Sequence, residues 1–109
     1  MEIGKTRSGT VIEYKPNQAI EDFLDDLKSL SDGDKFDVFC IYQWLVIRAM
    51  PKKPHNPSDY DWWESRLTEM NELTGEELIK REKSETNIRT SYEMVQFGKK
   101  MVANFWRES

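Results

Sequence analysis

A chain of 109 residues, 33% charged and 38% hydrophobic with four Trp, is long enough to bury about two-thirds of its unfolded surface in one domain over residues 1–109, and too aromatic for a disordered tail. Its single cysteine, Cys40, and single histidine, His55, exclude an intramolecular disulfide and any metal site built from several His or Cys ligands of one chain, and they suit a reducing, cytoplasmic setting. The net charge of −4 hides an asymmetry that bears on partners more than on fold. Seven acids stand against two bases from Glu21 to Asp37, and seven more against Arg66 alone from Asp59 to Glu77. From Lys80 to Arg107 seven bases outnumber three acids.

Residues 1–9 hold no apolar run, so no secretory signal is expected. Ile3 to Lys5 and Thr10 to Tyr14 are short β-prone runs separated by Arg7-Ser8-Gly9, which predicts an N-terminal β-hairpin with Ile12 and Tyr14 facing inward. Gly4-Lys5-Thr6 lacks the strand and the earlier glycine of a phosphate-binding loop. Pro16-Asn17 then opens a helix over about 17–30. Its apolar positions Ile20, Phe23, Leu24, Leu27 and Leu30 share one stripe, leaving Glu21, Asp22, Asp25 and Asp26 to water.

Phe36 to Met50 is the one long apolar stretch. Its composition favours strand, but fifteen residues without Gly, Pro or Asn exceed the usual strand length. Ser31 with Asp34 three residues on is close to a capping box, and Pro51 stops the segment. A helix over about 33–49 is therefore expected, apolar on nearly every side and so central, with Trp44 in the middle of the core. The alternative is an α+β fold with 36–47 as a buried strand. Asp37, Gln43 and Arg48 are its polar residues.

Pro51 to Pro57 carries three prolines in seven residues and predicts a stiff surface loop. Ser58 caps a helix over about 59–73, with Trp63, Leu67 and Met70 inward; two adjacent Trp side chains lie about 100° apart on a helix, which leaves Trp62 at the rim or exposed. Thr74-Gly75-Glu76-Glu77 reads as a capping box for a short helix over 75–83, supported by Glu76/Lys80 and Glu77/Arg81. A last amphipathic helix is expected over 87–107, with Tyr92, Val95, Val102 and Trp106 on its apolar face. Together these elements predict a mainly α protein, a compact bundle of four to five helices around the 33–49 helix with a small N-terminal hairpin.

Chemistry-bearing motifs are sparse. A Cys40/His55 nucleophile pair is weak because Cys40 lies in the apolar run, and Asp32, Asp34 and Asp37 lack the loop of a calcium site. No catalysis, cofactor or metal is expected. The composition instead suits a binding module, an inhibitor, immunity protein or adaptor such as phage and mobile elements carry. It would dock on another protein through Glu21, Asp22, Asp25 and Asp26, or through Asp59, Asp61, Glu64 and Glu69, helped by Trp62 and the proline loop. A second reading is nucleic-acid binding through Lys80, Arg81, Lys83 and Arg89. A third is a homodimer through the 87–107 helix, where Ser91 and Gly98 permit close approach. No segment is apolar enough for a membrane span.

Overall fold

The computed structural model describes residues 2–15, 17–49 and 57–107. Two antiparallel strands, β1 (Glu2–Lys5) and β2 (Val11–Glu13), are followed by α1 (Ile20–Lys28), α2 (Asp32–Ala49), α3 (Pro57–Thr74), α4 (Glu76–Glu85), α5 (Ser91–Met101) and a short α6 (Asn104–Arg107). The fold is mainly α with an N-terminal hairpin, and Phe36 to Ala49 is helix, which excludes the buried-strand alternative. His55 and the proline loop from Pro51 to Asn56 lie outside the described residues.

Helix α2 is the axis of the molecule. Phe36, Val38, Phe39, Cys40, Ile41, Tyr42, Leu45 and Val46 are all buried, so every side of the helix is covered over its middle turns. This follows from a sequence with no polar face to offer. Helices α3 and α5 cover it along its length and α4 more briefly. The Ser31 hydroxyl accepts a hydrogen bond from the Asp34 amide at 3.3 Å, the N-cap expected there. Helix α5 crosses α2 at Gly98, where a Cβ would run into the Cys40 carbonyl oxygen. The residue expected to form an assembly seam is thus used inside the fold.

Several expectations are corrected. Trp44 is half-buried at the edge of the core rather than central, with the Lys99 ammonium 5.0 Å from its ring centroid. Ile20, assigned to the inner stripe of its helix, is half exposed, as is Ile47 of the apolar run, and Tyr92 is 71% exposed. Helix α1 begins at Ile20, three residues after Asn17. Thr74 does not cap α4; it ends α3 and is buried, and Gly75 at φ 79° turns the chain directly into α4. Only glycine enters that conformation readily. Arg81, expected to pair with Glu77 along α4, reaches Asp32 on α2 at 3.4 Å.

The last helix is not continuous. The chain leaves α4 through Asn87 at φ 60°, and α5 is capped by Thr90, whose side chain accepts from the Glu93 amide, while Glu93 Oε2 accepts from the Arg89 amide at 2.9 Å. At Val102 the backbone becomes extended and forms a bridge with Gly4, and the Ala103 amide donates to the Ile3 carbonyl at 2.8 Å. The hairpin therefore gains a third, one-residue strand, which supplies partners that two strands alone lack.

Candidate functional site

The bridge to Val102 covers the outer edge of β1, and β2 pairs with its inner edge. Among the described residues no strand pairs with the other edge of β2. Thr6 donates its amide to the Thr10 carbonyl at 3.0 Å, and alternation along an antiparallel ladder then turns the amide and carbonyl of Val11 to the open side. Val11 is also 45% exposed.

A groove of about 240 Å³ runs along this edge, between β2 and α1. Phe23 and Leu27 from one face of α1, Leu30 beyond it and Val38 and Tyr42 from α2 close it at the bottom as an apolar floor, all but Leu30 of these almost wholly buried, and Glu13, Lys15, Gln18 and Asp26 stand around it. Asp26 accepts from Gln18 Nε2 at 2.6 Å and lies 3.7 Å from Lys15 Nζ. Phe23 and Leu27 are turned inward, and Asp22, Asp25 and Asp26, spaced three and four apart, form a neighbouring stripe that reaches the groove at Asp26. All three are exposed, as is Glu21. Asp22, Asp25 and Asp26 line a second, shallower depression with Lys15, Asn17 and Gln18, so the acidic stripe and the apolar groove form one continuous face.

Helix α1 is held against α3 by Arg66. Its guanidinium lies between the rings of Phe23 (4.5 Å) and Trp62 (4.4 Å), and Nη2 donates to the Gln18 carbonyl at 3.2 Å. Glu69 is 3.9 Å from Arg66. Burial pushes the Glu69 carboxyl above its ordinary range, partly offset by the Arg66 charge. Trp62 packs edge-on against Tyr14 at 4.8 Å and Trp63 at 4.6 Å. Trp62 and Glu69, both half-buried, are therefore parts of the α1–α3 contact. Asp61 and Glu64 are exposed on α3, and the side chain of Asp59 lies outside the described residues.

A polar network at the hairpin turn was not read from the sequence, where Asp34 and Asp37 appear only as residues near a helix start. Asp37 is 1% exposed and takes the Arg7 amide, Nε and Nη2, each at 2.9 Å. Asp34 accepts from the Ser8 and Thr10 hydroxyls at 2.7 Å. Burial acts to raise the Asp34 carboxyl, but hydrogen bonds from Thr10, Ser8 and Thr6 prevail and hold it below its ordinary range. Arg7 Nη2 also approaches Glu82 at 3.4 Å. The signal was present: two acids, three apart, on a helix otherwise committed to the core require partners from elsewhere. The network fixes the hairpin on α2 and α4.

The basic residues divide. Lys80 and Lys83 border a depression with Phe39, Gln43, Ile79, Ile88 and Met94, Arg81 faces Asp32, and Arg89 is exposed in the turn before α5. Cys40 is buried, and burial pushes its thiol up, away from the thiolate that nucleophilic chemistry needs. Among the described residues no group of three or more His, Cys, Asp or Glu is arranged to hold a metal ion, and no helix is long and apolar enough to cross a membrane. No protein-family model, no curated protein and no solved structure matches the chain.

Proposed function

We propose that this protein is a binding module that occupies a basic region of another protein through the face formed by α1 and β2, in the manner of an inhibitor, immunity protein or adaptor. The observation that carries the reading is the adjacency of Glu21, Asp22, Asp25 and Asp26, all exposed, to an open groove with an apolar floor. Charge brings a basic partner to the face and orients it, and apolar contact in the groove retains it. The α3 acids Asp61 and Glu64 are exposed and line neither this groove nor the shallower depression beside it. The division of Lys80, Arg81, Lys83 and Arg89 favours this reading over nucleic-acid binding, which draws on bases gathered along one surface.

The test is a pull-down from native host extract with two charge-reversed variants. Changing Asp22, Asp25 and Asp26 to Lys is expected to abolish capture of a basic protein, whereas changing Lys80, Arg81 and Lys83 to Glu leaves it intact. Loss of capture only in the second variant, together with removal of the captured material by nuclease, overturns the reading in favour of nucleic acid.

A further inference from the structure

We infer that the groove binds an extended segment of the partner as an added β-strand on the open edge of β2, with apolar side chains entering the groove and Lys or Arg alternating with them. This rests on the α1–β2 face being the binding face, and it specifies the occupant. Three observations converge. The amide and carbonyl of Val11 point away from β1 and offer a strand the pairing that β1 already receives from Val102 on its own outer edge. The apolar floor of Phe23, Leu27, Leu30, Val38 and Tyr42 lies directly beside that edge, where every second side chain of an added strand is directed. Glu13, Asp26 and Lys15 stand at the rim, Lys15 Nζ 3.7 Å from Asp26, with Asp22 and Asp25 beyond them, so a segment's remaining side chains meet net negative charge.

The dimensions select a strand over a helix. The groove narrows to about 240 Å³ between β2 and α1, room for side chains of a segment lying along the edge, whereas a helix of about 10 Å diameter has to lay a whole stripe into its groove. Charge selects a foreign segment over a second copy. β2 of a second copy itself brings an acid, Glu13, to a face that already carries Glu13, Asp22 and Asp25.

The experiment uses a synthetic peptide library of about twelve residues per member, alternating apolar positions with Lys or Arg, and follows the retained peptides by fluorescence anisotropy. N-methylation of the peptide amide apposed to Val11 is expected to weaken binding about tenfold or more, while N-methylation of its neighbours has little effect. Val11→Pro, which removes an outward-facing amide and no β1 pairing, is expected to do the same at an unchanged melting temperature. The Val11 amide of the unaltered protein is expected to exchange more slowly with peptide bound, a readout that needs no variant. Insensitivity to N-methylation at every position, with unchanged Val11 exchange, overturns the strand inference. If the Asp22, Asp25 and Asp26 reversal still abolishes that binding, the α1 face stands without the strand; if it does not, both fail. A library from which no peptide is retained also overturns the strand inference, and the pull-down then judges the α1 face alone.

Discussion

Gly98 lies where α5 crosses α2 over the Cys40 carbonyl, and one added methyl group has nowhere to go because the atom it meets is backbone. Gly98→Ala forces the two helices apart along their shared length and is expected to cost about 2–3 kcal/mol, against the helix propensity it gains of about 1 kcal/mol. Urea unfolding measures the difference; a variant as stable as the parent would show that the helices do not approach at this point. At Asp34 the expectation is a pH dependence. Its carboxyl is held below the ordinary range by the Thr10, Ser8 and Thr6 hydroxyls, so its contribution is complete above the unfolded value of about 3.9 and is lost as pH falls through the lower, folded value. Asp34→Asn is expected to cost about 1.5 kcal/mol at neutral pH, and the gap between variant and parent closes in acid, below about pH 4. A gap that persists unchanged at low pH would assign the effect to geometry rather than to charge.

Between elements, the tie that matters most to the proposed site is Arg66, since it fixes α1 and hence one wall of the groove. Arg66→Met keeps much of the side chain's bulk but leaves Glu69 partly buried without its cation, and the expected loss is about 3 kcal/mol, near the lower end for breaking a buried pair. Glu69→Gln added to that variant is expected to restore part of the loss, because the uncompensated charge is then gone. Two-dimensional NMR of the single variant should place the largest shifts on α1 and β2; shifts confined to α3 would mean that Arg66 does not position the groove. The helices themselves were largely legible. The length of the apolar run from Phe36 outweighed its β propensity, and the stripe containing Phe23 and Leu27 gave α1. The Thr90-to-Glu93 capping box was also legible, yet the expected start at 87 passed over it. The break at Val102 was not, because Val102 and Trp106 continue a helical apolar spacing and only pairing with Gly4 draws Val102 into the sheet. For the same reason the acidic stripe was visible in the sequence and the groove was not. Its walls and floor come from β2, α1 and α2, which no local pattern brings together.

Across the whole molecule, charge is separated from the groove's apolar floor but adjoins it, and this has a kinetic signature. Association with a basic partner is expected to slow steeply between low and physiological salt while dissociation changes little, because exposed charges act over about 8–10 Å and are screened beyond that. Stopped-flow association at several salt concentrations measures it, and a flat dependence would count against the acidic face. The molecule's closing contact has a consequence of another kind. The Ile3 carbonyl bonds Ala103, and the Glu2 carbonyl accepts from Trp106 Nε1 at 3.3 Å across 104 positions of sequence. Such a contact encloses nearly the whole chain in one loop, and its closure entropy is repaid only after the helices have assembled. The strand that completes the sheet is thus expected to form on the native side of the folding barrier and to act as a latch on escape rather than as a nucleus. Ala103→Pro, which removes the amide, should then speed unfolding several-fold and leave the folding arm of the chevron nearly unmoved.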